Sequence, residues 1–467
     1  MILGAWTPLQ WLALVEHELL LFAGVFFLVG SIDELAIDFA WVWLRLTGRA
    51  RTLRIRRENH CRAALAGSAA LIIPAWHEER ILATTIAHAL AAWPQPELRL
   101  YAGCYRNDVG TAEAIAAGAR GDPRVRLVVH DRDGPTTKAD CLNRLYAAME
   151  ADERRCGVRF RMVLVHDAED MVDPAALSLI DAAMARADFV QLPVLPEPQP
   201  ESRWIGSHYC EEFAEAHGKS MVVRGLLGAA LPAAGVGCAF ARELIGAIAE
   251  TMDGSGPFSV ESLTEDYELG LKIKAAGGTA WFLRARGEDG RLVATRAFFP
   301  PTLPQAVRQK ARWVHGIALQ GWDRLGWSGG VVESWMRLRD RRGPLTALVL
   351  FAAYVLLALA AALSFAEWLG FGRPWEPSGL LLVLVWANLA SFLWRAAMRF
   401  AFTAREYGWA EGVRAVLRLP FANVIAIMAG RRALVAYVKT LLGTRPRWEK
   451  THHHAHPADF QTGPASA

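Results

Sequence analysis

Apolar positions follow two regimes along the chain, with long uncharged runs toward the ends and short runs alternating with amphipathic stretches between them. In the middle regime, Ala70 to Ala75, Leu98 to Cys104, Val125 to His130, Met162 to His166 and Phe189 to Leu192 read as strands. Ile81 to Ala91, Thr111 to Ala119, Lys138 to Met149 and Pro174 to Ala185 carry helical spacing. Repeated strand–helix alternation predicts right-handed crossovers and an α/β fold around a mostly parallel sheet. Ligands of such sheets bind beyond the carboxyl ends of the strands, so the first polar residues after each strand are the place to look.

The end regime predicts membrane helices. Leu345 to Ala366 carries no charge, and at about 1.5 Å per residue it spans a hydrocarbon core. Gly379 to Trp394 is shorter and continues through Arg395 into Met398, with the arginine reaching the boundary. Leu19 to Ile32 is uncharged, meets Asp33, Glu34 and Asp38, and resumes to Leu44. No basic segment precedes it and no small-residue cleavage site follows, so it reads as a span rather than a secretory leader. From Trp409 to Leu442, arginines and Pro420 interrupt the run, which predicts interfacial or re-entrant helices.

Charge placement orients these spans. Met1 to Glu18 hold no Lys or Arg, whereas Arg45, Arg49, Arg51, Arg54, Arg56 and Arg57 follow the first span, Arg337, Arg339, Arg341 and Arg342 precede the second, and Arg395, Arg399 and Arg405 follow the third. The positive-inside rule then predicts a multi-pass membrane protein with its N-terminus outside and its middle in the cytoplasm. The expected organisation is a span and linker at 1–58, an α/β domain at 59–300, amphipathic interface helices at 301–343, two spans at 344–400, interfacial helices at 401–443 and a cytoplasmic tail at 444–467. The tail histidines His452, His453, His454 and His456 read as solvated, since no partner ligands surround them.

Composition agrees. Of the 467 residues, 53% are hydrophobic and 21% charged, too apolar for a disordered chain. A net charge of +4, from 51 basic and 47 acidic residues, argues against a nucleic-acid binder dominated by phosphate contacts. The six cysteines form no CxxC pair and suggest neither a zinc module nor a disulfide framework.

Chemistry concentrates at the strand ends. They carry His77, Glu78 and Glu79; Asn107 and Asp108; Asp131, Asp133, Thr136, Thr137 and Lys138; and Asp167, Glu169 and Asp170. Each alone is also an ordinary loop or capping residue, but together they describe a polar rim fit for a nucleotide with a metal and Lys138. Carboxylates two residues apart, as Asp167 and Glu169 are, can share a hard cation that bridges diphosphate oxygens. Asp266 opens a helical pattern to Ala276. From Val307 to Leu325 an apolar stripe lies opposite Gln309 and Arg312, with Trp313 at the margin, where an indole can stack on a base or sugar.

These elements in this order resemble the membrane-bound inverting glycosyltransferases of family 2, which include cellulose, chitin and hyaluronan synthases. The motifs are IIPAWHEE (Ile72 to Glu79), DGPTTKADCLN (Asp133 to Asn143), DAED (Asp167 to Asp170), TED (Thr264 to Asp266) and QKARW (Gln309 to Trp313). The flanking spans, SIDELAID and RPRWEKTHH are similar to bacterial inner-membrane glycosyltransferases described as phage-adsorption proteins.

The resemblance implies a GT-A (Rossmann-like) domain, a nucleotide-sugar donor, usually a UDP-sugar, and Mg²⁺ or Mn²⁺. By it, Asp167 and Glu169 would hold metal and diphosphate, with Asp170 a rival ligand. Glu78, Asp108, Lys138, Gln309, Arg312 and Trp313 would bind the donor and shape the acceptor site. Glu265 and Asp266 would be the catalytic carboxylates, Asp266 as general base. GVGCAF (Gly235 to Phe240) resembles a family loop near the sugar.

The implied activity is sugar transfer to a growing cell-envelope or extracellular glycan. Transfer of one sugar to a polyprenyl phosphate or glycolipid is the first alternative, and a non-catalytic receptor or scaffold with a degenerate transferase fold is the second. Three spans could hardly enclose a pore, so processive secretion would require a homo-oligomer or an export partner.

Overall fold

The computed structural model describes residues 6–252, 254–327, 329–372, 378–444 and 455–460. Its N-terminal apolar run does not break at the acidic residues but forms one helix, α1 (Pro8–Leu46), opened by a capping box between Thr7 and Gln10. The acids are tolerated because each meets a basic group from a distant segment. Glu34 pairs with Arg395 at 2.6 Å and Arg339 at 3.0 Å, Asp33 pairs with Arg339 and Arg342, and Asp38 pairs with the fully buried Lys219.

The central sheet follows from alternation of apolar faces. Its strands are β1 (Ala69–Pro74), β2 (Leu98–Tyr105), β3 (Val125–His130), β4 (Met162–Val165), β5 (Phe189–Gln191), β6 (Cys238–Ala241) and β7 (Ala280–Phe282), in the spatial order β3-β2-β1-β4-β6-β5-β7. All pairings are parallel except those of β6, which runs antiparallel between β4 and β5. The crossovers from β1 to β5 carry α2 (Leu82–Ala92), α3 (Val109–Ala119), α4 (Lys138–Cys156) and α5 (Ala176–Ala183).

On β1, Leu71 and Ile73 pack with Leu82 and Ile86 of α2, while Ala70 and Ile72 pack with Leu142 and Leu145 of α4. A strand covered on both faces is apolar at every position, which is why the run reads as continuous. β6 departs from the sequence reading, which took GVGCAF for a loop; its hydrogen-bond partners are remote in sequence, so nothing local announces it.

Beyond the sheet come α6 (Glu265–Ala275), α7 (Leu303–Trp313), α8 (Gly343–Trp368), α9 (Gly379–Tyr407) and α10 (Leu419–Leu441). Among the described residues, α1, α8, α9 and α10 are long and apolar enough to cross a membrane, one more than the three spans expected. The sequence reading broke the last run at Pro420, but that residue lies in the first turn of α10, where no intrahelical hydrogen bond is lost. Both ends of α10 contact residues outside the long apolar helices. Arg418, its N-cap, bonds Glu211 at 3.0 Å, and the Tyr437 hydroxyl donates to Asp323 at 2.7 Å.

RPRWEKTHH and His452, His453 and His454 lie outside the described residues. His456 corrects the expectation of a solvated tail: it is wholly buried against the α/β domain.

Candidate active site

The carboxyl ends of β1 and β4, the starts of α4 and α6, and α7 converge on one cleft. Glu78, Lys138, Asp167, Glu169, Asp266, Gln309, Arg312 and Trp313 all line it, together with Trp76, Phe213, Phe298 and Phe299. Five separate sequence segments thus deliver the expected polar set to one place. Glu265 sits just behind, beside Lys138 and Asp266.

Lys138 is the hub. It opens α4, whose N-cap is Thr137, and its ammonium lies 2.6 Å from Asp167 and 3.9 Å from Glu265. Burial works against its charge, but Asp167, Glu265 and Asp266 outweigh that and raise its pKa above the ordinary lysine value. Among the acids, burial and then the neighbouring Asp266 push Glu265 up to about 7, against the pull of Lys138. Burial likewise raises Asp266 above the usual carboxylate range, with Lys138 and the Tyr267 amide opposing it. That amide donates to Asp266 Oδ1 at 2.7 Å.

Two glycines allow the close approaches. A Cβ on Gly235, whose φ is +75°, would overlap the Asp266 carboxylate. Behind α7 the chain makes a π-helical turn, Val314–Gln320, in which Gly316 packs against Thr264; a Cβ there would collide with the threonine side chain. Gln320 Oε1 also accepts from the Leu263 amide at 3.2 Å. The TED and QKARW motifs are therefore one packed unit. Within it, the buried Gln309 Oε1 and Arg312 Nε have no protein partner.

Asp167 and Glu169 project into the cleft from one loop and offer the hard oxygen ligands that Mg²⁺ or Mn²⁺ takes, so the residues present fit a divalent cation. Asp170 is used differently. Its Oδ2 accepts from His166 Nδ1 at 2.7 Å and from the Asp167 amide at 3.0 Å, which braces the loop, and the residue also lines the cleft. Asp108 is not among the residues lining the cleft; it caps α3 through Thr111 and accepts from the His77 amide at 2.7 Å. The sequence pointed to this only through its N-cap position.

Sequence reasoning missed the aromatic wall formed by Phe213, Phe298 and Phe299. Phe213 and Phe299 sit with Tyr209 around Trp313, whose ring meets that of Tyr209 edge-on at 6.0 Å. These rings come from segments far apart in the chain, and no periodicity links them.

Comparison with known proteins gives a consistent picture. A family model described as glycosyltransferase like family 2 matches residues 66–316. Over 454 residues the chain is 32% identical to bacteriophage adsorption protein B of Escherichia coli K12, and equally to bacteriophage N4 adsorption protein B of Escherichia coli O157:H7. Each alignment takes in 92% of this chain but 61% of the relative, so the chain spans about three fifths of the length of these proteins.

Among solved structures, a mannosyltransferase from Pyrobaculum calidifontis in complex with GDP-Man and Mn²⁺ is 16% identical, with 88% of this chain and 99% of that one covered and a TM-score of 0.49. A glucosyl-3-phosphoglycerate synthase from Mycobacterium tuberculosis, also 16% identical, covers 48% of this chain and 71% of its own at a TM-score of 0.29.

Proposed function

This chain belongs to the family 2-like glycosyltransferases, and from that premise we propose that it transfers a sugar from a nucleotide-sugar donor, a UDP-sugar first, to the hydroxyl of a glycan acceptor, with inversion at the anomeric carbon. One observation carries the reading: the carboxylates, the lysine and the QKARW side chains, from segments up to about half the chain apart, line a single cleft. The aromatic wall beside Trp313 favours a sugar ring as acceptor, because ring C–H faces pack well on aromatic surfaces.

Asp266 acts as base and takes the acceptor hydroxyl proton as the oxygen attacks the anomeric carbon. Its raised pKa suits that task, since a base nearer neutrality is a better proton acceptor that still ionises at working pH. The bond to the donor phosphate breaks on the opposite face, which inverts the configuration. Arg312, with an unpartnered buried nitrogen, and Lys138 receive the charge that develops on the departing diphosphate. Asp167 and Glu169 would hold Mg²⁺ or Mn²⁺, which when bound supplies further neutralisation of the diphosphate.

We read the catalytic domain as facing the cytoplasm, supported by the arginines flanking the apolar helices. We read α10 as lying in the membrane interface, since both its ends contact the same side of the protein.

The test is a panel of UDP-, GDP- and dTDP-sugars with Mg²⁺ or Mn²⁺, read by release of nucleoside diphosphate and by product mass. Release with at least one donor, abolished by Asp266→Asn while donor binding survives, is the expected result. No release from any donor sinks the enzymatic reading. A product carrying sugar on lipid alone replaces the glycan acceptor with a polyprenyl phosphate or glycolipid.

A further inference from the structure

The loop that carries Asp167 and Glu169 is held from behind by side chains donating to its backbone carbonyls. Thr85 bonds the carbonyl of Ala168, His88 Nε2 that of Val172 at 3.0 Å, and Trp93 Nε1 that of Asp173 at 3.0 Å. All three donors come from α2 and its C-cap. Met171 is bridged to the Arg296 backbone at 2.7 and 3.0 Å, and a further side-chain grip, on the carbonyl of Asp170, comes from His456, 286 residues away, at 3.2 Å.

The tautomer of His456 follows from its partners. Its Nδ1 accepts from the Ala458 amide at 3.1 Å, so the ring hydrogen is on Nε2 and points at the Asp170 oxygen. Both nitrogens are thereby satisfied in a side chain with no exposure to solvent. The segment is shaped to present the ring: the His456 amide donates to Asp459 Oδ2 at 3.1 Å, the Asp459 amide returns to the His456 carbonyl at 3.0 Å, and a short turn, Pro457–Phe460, follows. The ring centre lies 6.1 Å from that of His88, so two imidazoles from opposite ends of the sequence stand side by side on alternate carbonyls of one loop.

Asp170 passes the constraint forward. Its carboxylate accepts from the Asp167 amide, so the residue that His456 fixes also fixes the backbone of a cleft carboxylate.

We propose that residues 455–460 form an intramolecular strap that locks the Asp167–Asp170 loop, with His456 as a positioning residue for the carboxylates that take the divalent cation. The metal role of that loop rests on the function proposed above; the strap itself does not. Partners that orient a ligand from outside are worth about 10- to 100-fold in metal affinity.

The experiment compares the full chain with His456→Ala and His456→Gln in lipid nanodiscs. It measures Mn²⁺ binding by electron paramagnetic resonance without donor, amide hydrogen exchange, and turnover against Mn²⁺ concentration. We expect His456→Ala to weaken Mn²⁺ binding about tenfold, with faster exchange confined to residues 166–172 and turnover at saturating Mn²⁺ within about twofold of the parent, the position expected of a binding rather than a chemical defect. Glutamine keeps an N–H for the Asp170 carbonyl and should recover most of the lost affinity.

Unchanged Mn²⁺ binding and loop exchange in His456→Ala overturn the proposal, as does a turnover loss at saturating Mn²⁺ with affinity intact. If His456→Ala does not fold, His456→Gln decides: parental affinity and loop protection support the donor role, and loss of both refutes it. Should the parent chain release no nucleotide while His456→Ala still loosens the loop and weakens Mn²⁺, the transferase reading fails and the strap stands.

Discussion

Gly235 lies directly against the carboxylate of Asp266, so close that a methyl group in place of its hydrogen would occupy the space of Oδ2. Its φ of +75° is also one that alanine adopts only with strain. Gly235→Ala should therefore push the base off its line to the acceptor hydroxyl. We expect kcat to fall by about 100-fold, the usual scale for an ångström of misplacement, with nucleotide affinity within a few-fold of the parent. Isothermal titration beside steady-state kinetics checks the split.

The pH profile should carry the signature of the buried acids. A base works only when ionised, so kcat/KM rises with pH through the Asp266 pKa, and burial moves that limb above the ordinary carboxylate range. Lys138 opposes the shift. Lys138→Met removes the opposition and should move the acid limb to still higher pH, while raising the donor KM by about tenfold or more for the lost charge-assisted contact. An acid limb that moves down instead would place the limiting pKa elsewhere.

Removal of divalent cations should stop turnover, and Mn²⁺ or Mg²⁺ should restore it. Glu169→Gln is expected to raise the half-saturating metal concentration by changing a ligand, whereas Asp170→Asn should act through the loop. The distinction is measurable: only Asp170→Asn should also increase amide exchange at Asp167, because Asp170 Oδ2 accepts from that amide.

At the other end of the molecule, Glu34 gathers Arg339, Arg342 and Arg395 from the helices around it. Glu34→Ala removes charge-assisted hydrogen bonds to three part-exposed arginines, while Asp33 still pairs with Arg339 and Arg342 and Glu215 with Arg395, so the expected loss is about 1–3 kcal/mol. Thermal unfolding in nanodiscs should show the loss. Glu34→Asp, which keeps the charge, should recover part of it.

Much of this was legible in the sequence because the α/β body announces itself through runs buried on both faces. Val125 to His130 was read with its observed limits, and the family followed from five motifs, three at strand ends and two on helical patterns. What escaped reading depended on distant partners. β6 is a four-residue strand whose neighbours are remote. Asp33, Glu34 and Asp38 looked like a helix end until their arginines and lysine arrived from other segments. His456 looked like one of several tail histidines, and only three-dimensional contact sets it apart.

The helix α7 has the cleft on one side and α10 on the other: Gln309, Arg312 and Trp313 line the cleft, while Ala306 and Val307 pack on Ile425, and Ala311 on Ala429 and Ala433. The outer face of α10 exposes Leu434, Val435 and Val438, the face that acyl chains would cover. At about 10 Å between packed helix axes, two helix layers lie between that face and the Trp313 indole in the cleft. On the acceptor role proposed for Trp313, the bilayer becomes a mechanical component of the site, and lateral pressure, chain length or a change of detergent becomes a kinetic variable in its own right.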